Sequence, residues 1–213
     1  GFALRAKEAA GLYLTGSRRP FAFQGVKLRL GPGRPLPGKE VAPAPPPPPG
    51  PFAPLEARRD YLDHLRKSAQ GLALKRGVVY LDAMGGAGGG ILGQVLKRLE
   101  APVELRELHP LPHPLFYGVA PDPRPEHLRT LRLLLREAKP PALGLALDGD
   151  ADRLGVYLPG GEALPGDQAL ARLREAAQGR EVEALGEGAY RFPWHLEEPD
   201  PFLAALLLMG VLL

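Results

Sequence analysis

Predicted strands and amphipathic helices alternate along the middle of this chain. Residues 77–82 and 143–147 are short, largely apolar segments next to turn residues, and 103–108 has Val, Leu and Leu between charged residues; both patterns are typical of strands. Between them, 91–99 and 126–138 repeat leucine or valine at intervals of three and four residues, which predicts helices with one apolar face. This order favours an α/β fold, with mostly parallel mixed sheets, helices on both faces and right-handed crossovers.

Further elements are predicted on both sides of this alternation. Residues 12–14 predict a strand, 54–68 and 165–177 predict helices, and 181–194 predict a pair of strands. The segment 200–213 predicts a last helix, whose final 12 residues are apolar apart from one glycine. Because a bilayer requires about 20 apolar residues, a buried helix is expected there, and no association with a membrane.

A proline-rich segment separates the first predicted strand from the rest. Of the 26 prolines, 11 lie between Pro32 and Pro54, which predicts a linker. The run 45–49 favours extended polyproline geometry, about 3.1 Å per residue. A ligand for an SH3-like partner is the alternative interpretation of this run.

The charge and the absence of cysteine exclude several classes of function. The net charge is only +3 and the basic residues are scattered, so no nucleic-acid partner is expected. With no cysteine the chain has neither disulfides nor thiolate metal sites. Arg5, Lys7 and Glu8 interrupt the apolar start, so no signal peptide is expected. These features are compatible with the reducing cytoplasm, where we expect the protein to act.

Three aspartates follow the predicted strand 143–147 at alternate positions, Asp148, Asp150 and Asp152. Carboxylates this close repel one another unless a cation binds them, and Mg²⁺ and Ca²⁺ both take carboxylate oxygens. An EF-hand is excluded, because it needs a glycine after the third acid and a glutamate at the twelfth position. Mg²⁺ fits better, with Arg153 supplying donors for a phosphate. A solvated acidic turn is the alternative.

Two other segments have glycine-rich or basic turns. Thr15-Gly16-Ser17-Arg18-Arg19 follows the first predicted strand and would suit an anion, although an ordinary basic surface turn looks the same. The glycine run 85–90 between a strand and a helix also occurs in dinucleotide-binding proteins, but no acidic residue convincingly closes a second strand. The histidines do not follow a common zinc-ligand spacing.

The acidic loop, Leu-Asp-Gly-Asp-Ala-Asp-Arg, resembles the metal loop of the alpha-D-phosphohexomutases, which include phosphoglucomutases and phosphomannomutases. Three other segments resemble motifs of this family. Thr15-Gly16-Ser17-Arg18-Arg19-Pro20 is similar to its Thr-Ala-Ser-His-Asn-Pro, and Gln24-Gly25-Val26-Lys27 to its Asn-Gly-x-Lys. Gly186-Glu187-Gly188-Ala189 is similar to its sugar-binding Gly-Glu-x-Ser. Arginines replace the family's His and Asn, and Ala189 replaces its serine.

The resemblance implies a role for each matching residue. Ser17 is the expected phosphoserine and nucleophile, and Lys27 and Arg153 are the expected catalytic cations beside it. Arg18 and Arg19 are expected to bind phosphate, and Glu187 is expected to bind the sugar. The three aspartates are expected to hold Mg²⁺.

The resemblance also implies a domain organisation. Residues 1–31 are expected to be the remnant of the first phosphohexomutase domain, with the serine loop. Residues 32–54 are the linker, 55–160 the second domain with the metal loop, and 161–213 a shortened third domain.

The expected function is that of an isomerase, an intramolecular phosphotransferase of carbohydrate metabolism. It would move phosphate on a hexose phosphate through a phosphoserine with Mg²⁺. The alternative is a catalytically impaired homologue that binds Mg²⁺ and sugar phosphates or regulates a partner. The apolar C-terminal helix would allow a homo-oligomer to form.

Overall fold

The computed structural model describes residues 10–31, 34–40, 42, 50 and 53–213. The predicted polyproline run and its SH3 interpretation lie outside the described residues, as do residues 1–9 of the first predicted domain. The strands are β1 Ala10–Thr15, β2 Gly25–Leu30, β3 Arg34–Leu36, β4 Gly77–Asp82, β5 Val103–Leu108, β6 Ala142–Leu147, β7 Leu154–Tyr157, β8 Glu183–Gly186, β9 Ala189–Phe192 and β10 Leu196–Pro199. The α-helices are α1 Arg58–Ser68, α2 Ile91–Arg98, α3 Arg129–Glu137, α4 Gly166–Ala176 and α5 Pro201–Leu212.

A mixed, mostly parallel sheet forms the centre of the fold, in the order β5-β4-β6-β7. Strand β4 is parallel to both of its neighbours, and β7 returns antiparallel to β6. Alternate side chains of β4 and β6 face opposite layers: Val79 and Leu145 pack with α1, α2, α4 and α5, whereas Tyr80 and Ala146 pack with α3. The predicted α/β fold with helices on both faces is confirmed.

Two antiparallel three-stranded sheets flank the central one, β1-β2-β3 and β10-β9-β8. The predicted strand pair in 181–194 corresponds to β8 and β9. Strand β3 lies within the predicted linker, where Pro35 stands opposite Arg29 of β2. Proline is tolerated there because β3 is an edge strand and needs no donor on its outer side.

Helix α3 begins three residues later than the periodicity predicts. A 3₁₀ turn, Pro125–His127, precedes it, and the α-helix starts at Arg129. Pro125 fits the first position of such a turn because its ring fixes φ and it has no N–H to satisfy.

Helix α5 is buried inside the chain rather than exposed to a partner. All of its residues from Pro201 to Met209 are buried, and they pack with α1, α4 and the central sheet. These side chains belong to the chain's own core, so the buried part of the helix offers no exposed apolar surface to a second copy. The oligomeric state itself stays a prediction. Among the described helices, none combines the length and the hydrophobicity needed to cross a bilayer.

Asp200 fixes the start of α5 as the centre of a buried polar network. Its Oδ1 accepts the backbone N–H groups of Phe202 and Leu203, at 2.9 and 3.0 Å, which satisfies two donors of the first helical turn. Its Oδ2 lies 2.8 Å from His195 Nε2 and accepts the Tyr61 hydroxyl at 3.0 Å. The network therefore ties α1, the loop before β10 and α5 together.

Candidate active site

The acidic loop starts where β6 leaves the core, and its first carboxylate organises its backbone. Asp148 is 0% exposed, and its Oδ1 accepts the N–H groups of Asp152 and Arg153 at 3.0 and 3.1 Å. Ala151 turns the loop with a positive φ of 54°. This turn brings one carboxylate oxygen each of Asp148, Asp150 and Asp152 within 4.8 Å of one another.

The electrostatics of the loop fit a divalent cation. Burial, and then the charges of Asp152 and Asp150, raise the pKa of Asp148 to about 8. Burial alone would also raise the pKa of Asp150, but hydrogen bonds and charge from Lys27 lower it. Within the described chain, three buried oxygens have no hydrogen-bond partner: Asp148 Oδ2, Asp150 Oδ1 and Asp152 Oδ1. Converging carboxylate oxygens are the ligands that Mg²⁺ prefers.

The hairpin of β1 and β2 carries the serine loop onto the acidic loop. Thr15 Oγ1 donates to Asp150 Oδ2 at 3.0 Å, and Lys27 Nζ lies 2.6 Å from the same oxygen. Ser17 donates its backbone N–H to Thr15 Oγ1 at 2.8 Å and has a positive φ of 51°. The structure therefore brings Lys27 into contact with Asp150 and Asp152, and the backbone of Ser17 next to Gly149 of the acidic loop.

Three arginines line a cavity of about 290 Å³ next to the serine loop, namely Arg18, Arg124 and Arg153. Arg18 lies 4.0 Å from Asp122 and 3.9 Å from Glu187. Arg124 lies 3.2 and 3.8 Å from the same two carboxylates. Arg153 donates to the Glu187 carbonyl at 2.7 Å, and its Nε lies 3.9 Å from Asp148. A cavity with this lining can accept an anion between flexible guanidinium groups.

Comparisons with known proteins agree with this geometry. Residues 59–161 match the family model described as phosphoglucomutase/phosphomannomutase, alpha/beta/alpha domain II. The chain is 31% identical over 173 residues to a phosphoglucomutase of Neisseria meningitidis serogroup B, covering 76% of this chain and 36% of the relative. The chain belongs to the alpha-D-phosphohexomutase family.

Two further relatives support the assignment to the phosphohexomutases. A phosphomannomutase of Salmonella typhimurium is 28% identical over 184 residues, covering 78% of this chain and 40% of the relative. A crystal structure from Thermus thermophilus, provisionally described as a phosphomannomutase, superposes with a TM-score of 0.83 at 30% identity. That match covers 99% of this chain and 61% of the other. The chain thus spans 36 to 40% of the length of these curated relatives.

Two of the predicted phosphohexomutase residues have positions that sequence alone did not suggest. Arg19, predicted to bind phosphate, lies over the ring of Phe23, 5.6 Å from its centroid, and is not among the residues that line the arginine-lined cavity. Glu187 lies between β8 and β9 with its side chain 73% exposed, at the rim of the arginine-lined cavity. Its exposure leaves the carboxylate accessible to a ligand.

Three residues of the site were not predicted from the sequence. Thr15 contacts Asp150, and Asp122 and Arg124 line the arginine-lined cavity. The hydroxyl of Thr15, two residues before Ser17, was a signal for a second polar contact in that turn. Arg124 stands in a proline-rich segment with no periodicity or motif spacing, so only the folded chain shows its position.

The glycine run 85–90 allows loops to pack closely in this member of the family. A Cβ at Gly86 would lie 2.6 Å from the Gly149 carbonyl oxygen, and one at Gly89 only 1.8 Å from that of Pro110. The run therefore lets the acidic loop approach the end of β4, a role that needs no dinucleotide.

Gly149→Ala is expected to weaken the docking of the serine loop. The added Cβ would lie 2.5 Å from the Ser17 carbonyl oxygen and 3.0 Å from Pro121 Cγ, so the loops must separate. We expect a loss of roughly 1–3 kcal/mol in the free energy of unfolding. Hydrogen exchange of residues 10–31 should become faster. Gly166→Ala, which meets nothing within 4 Å, is the control, and unchanged exchange in Gly149→Ala would contradict the packing role.

Proposed function

We propose that this chain carries out phosphohexomutase-type phosphoryl transfer, moving a phosphate on a hexose phosphate through Ser17. The observation that carries the proposal is the contact between the serine loop and the acidic loop. Thr15 and Lys27 bind Asp150 across separations of 135 and 123 residues in sequence. This contact supports the proposal because it brings the loop of Ser17 to the aspartates. A hydroxyl nucleophile, carboxylates for a cation and arginines for a phosphate are the groups that phosphoryl transfer requires.

In the proposed reaction, phosphorylated Ser17 transfers its phosphoryl group to a hydroxyl of the sugar phosphate. The bond from phosphorus to Ser17 Oγ breaks as a bond to the sugar oxygen forms, and the hydroxyl proton ends on Ser17 Oγ. In a second transfer, the other phosphoryl group of the sugar bisphosphate bonds to Ser17 Oγ as its bond to the sugar oxygen breaks, and the serine proton goes to that sugar oxygen. The two transfers together move the phosphate and restore phosphorylated Ser17. Arg18 and Arg153 neutralise the phosphate from the cavity side. Asp148, Asp150 and Asp152 would hold Mg²⁺, which when bound supplies positive charge that stabilises the transferring group.

The arginine-lined cavity is the proposed site of the sugar phosphate. Glu187 at its rim would accept hydrogen bonds from sugar hydroxyls, and Arg18 and Arg124 would exchange their contacts with Asp122 and Glu187 for the ligand's phosphate. The partner we propose is therefore a hexose phosphate of the kind that the names of the relatives imply.

A second candidate function is binding of Mg²⁺ and sugar phosphates without turnover. It is favoured by Arg18 and Ala189, which stand where the family pattern has a histidine and a serine. Arginine stays protonated and so cannot exchange a proton near neutral pH, and alanine offers no hydroxyl to the sugar. A protein that binds its ligands but transfers no phosphate would fit these two replacements.

Phosphorylation of Ser17 distinguishes the two candidates. The protein is incubated with Mg²⁺ and glucose 1,6-bisphosphate, and its intact mass is measured with peptide mapping. The expected result is one added phosphate on the peptide that contains Ser17, absent in Ser17→Ala. The chain has only two serines, Ser17 and Ser68, so the assignment is simple.

Two controls make the phosphorylation experiment decisive. EDTA in place of Mg²⁺ should prevent the transfer, and phosphate retained by Ser17→Ala would show that another residue accepts it. If the wild-type protein gains no phosphate yet binds glucose 1,6-bisphosphate, the binding function replaces the transfer function.

A further inference from the structure

The carboxylates of the acidic loop divide their oxygens into two sets. Lys27 Nζ contacts Oδ2 of Asp150 at 2.6 Å and Oδ2 of Asp152 at 2.9 Å, and Thr15 Oγ1 donates to that same Asp150 oxygen. Asp148 uses its Oδ1 for two backbone N–H groups. The other oxygen of each carboxylate is buried and has no hydrogen-bond partner in the described chain. Every aspartate is thus hydrogen-bonded through one oxygen only. Arg153 Nε lies 3.9 Å from Asp148 Oδ2 and 3.8 Å from Asp152 Oδ1, within ion-pair range but without a hydrogen bond.

This division makes the hairpin part of the framework of the cation site. Asp148 is fixed by its own loop, but Asp150 and Asp152 receive their side-chain hydrogen bonds from Thr15 and Lys27 on β1 and β2. Without those contacts, two adjacent carboxylates would repel each other and rotate apart. Removal of a group that hydrogen-bonds to a metal ligand and fixes its orientation commonly lowers metal affinity by about 10- to 100-fold.

We propose that Lys27 and Thr15 are positioning residues for the cation site, holding the Oδ2 atoms of Asp150 and Asp152 so that their Oδ1 atoms converge with Asp148 Oδ2. The inference rests on the cation site of the proposed function. It gives Lys27 a task separate from neutralising the transferred phosphate. It also makes cation affinity depend on docking of the hairpin.

A competing interpretation makes the opposite prediction. The Lys27 ammonium carries a charge of the same sign as Mg²⁺, so a lysine that merely substitutes for an absent cation would weaken cation binding by repulsion. Its removal would then tighten binding. Thr15 separates the two interpretations, because replacing its hydroxyl changes no charge.

The test is titration of the purified protein with Mn²⁺, which binds the same oxygen ligands as Mg²⁺. Free Mn²⁺ is followed by electron paramagnetic resonance, and the heat of binding by calorimetry. We expect Lys27→Met to weaken Mn²⁺ binding about tenfold or more, and Thr15→Val about threefold. Lys97→Met, which removes an exposed positive charge on α2, should stay within about twofold of the wild type.

The possible failures can be told apart. Affinity that is unchanged or tighter in Lys27→Met, with Thr15→Val equal to the wild type, would overturn the positioning role while leaving the cation site intact. A wild-type protein that binds no Mn²⁺ would overturn both this inference and the cation site. Circular dichroism confirms that each variant is folded, and Thr15→Val, which is nearly isosteric, keeps the test valid if Lys27→Met unfolds.

Discussion

Asp148→Asn is expected to abolish divalent-cation binding and, at the same time, to stabilise the cation-free protein at alkaline pH. The carboxylate of Asp148 is fully buried, and its Oδ2 has no hydrogen-bond partner among the described residues. An asparagine keeps an acceptor for the N–H groups of Asp152 and Arg153 and places an amide beside the open carboxylate oxygens. The variant thus removes a buried charge that is useful only when a cation is bound.

The pH dependence follows from the raised pKa of Asp148. Burial first, and then its acidic neighbours, move this pKa from 3.8 to about 8. Between those values the folded state holds a proton that the unfolded state has released, so stability falls as the pH rises. The stabilising contribution of this group is fully present below pH 3.8 and is lost as the pH rises through about 8.

The size of the effect makes the prediction easy to measure. Each pKa unit corresponds to about 1.4 kcal/mol. Part of the shift is therefore enough for Asp148→Asn to raise the free energy of unfolding by roughly 2–4 kcal/mol at pH 9. For a chain of this length the melting temperature should rise by roughly 5–10 °C in EDTA. A smaller gain, roughly 1–2 kcal/mol, is expected at pH 5, because that pH lies only about one unit above the unfolded pKa of 3.8.

Thermal unfolding at pH 5 and pH 9, with EDTA or with Mg²⁺, checks both halves of the prediction. Mg²⁺ should raise the melting temperature of the wild type and leave that of Asp148→Asn unchanged. Asp60→Asn, an exposed aspartate on α1, serves as the control and should behave as the wild type. A variant that melts lower than the wild type at pH 9 in EDTA would show that Asp148 is not an electrostatic burden in the folded chain.

Local sequence patterns predicted the strands of the central sheet well. Strands β4 and β6 are apolar because they are almost wholly buried, and the predicted segment 77–82 coincides with β4. The segment 103–108 coincides with β5, whose half-buried and exposed positions largely alternate. Strand β3 could not be predicted, because it depends on pairing with β2 rather than on its own composition, and Pro35 argues against a strand. The sequence also did not predict what α5, which is apolar on all sides, would pack against, since hydropathy does not distinguish the chain's own core from a partner.

The candidate site was predictable where a motif lies in one loop and unpredictable where it depends on long-range contact. The alternating aspartates lie in one loop, where Asp148 accepts N–H groups of that same loop, and Ser17 donates its N–H to Thr15 two residues earlier. The contact of Lys27 with Asp150 joins residues 123 positions apart, so no local pattern encodes it. The same holds for Arg124, which reaches Glu187 only after the chain has folded.

Asp200→Ala is expected to be among the most destabilising single substitutions in the described chain. It removes the cap of α5, which is worth about 1 kcal/mol, and the acceptor of the buried His195 Nε2 and of Tyr61 Oη. Removing the partner of a buried polar group costs about 1–3 kcal/mol. We therefore expect Asp200→Ala to lower the free energy of unfolding by roughly 3–5 kcal/mol and the melting temperature by roughly 10 °C or more.

The pH dependence of this loss has the opposite sign to that of Asp148. Burial alone would raise the pKa of Asp200, but the hydrogen bond and charge of His195 lower it below 3.8. The contribution of Asp200 is present above pH 3.8 and is lost as the pH falls through its lower folded pKa. The difference between the wild type and Asp200→Ala should therefore be full at pH 7 and shrink in strong acid.

Chemical unfolding at pH 7 and at acidic pH, with two comparison variants, separates the network from the helix cap. Tyr61→Phe removes one hydrogen bond to Asp200 and should cost about 1 kcal/mol. Asp167→Ala removes an exposed aspartate from the first turn of α4, where no side-chain hydrogen bond caps the helix, and should cost about 0.5 kcal/mol. If Asp200→Ala lost no more than Asp167→Ala, the buried contacts with His195 and Tyr61 would contribute nothing to stability. A much larger loss of stability in Asp200→Ala than in Asp167→Ala would instead show that the Asp200 network holds α5 in the core, where its apolar residues pack.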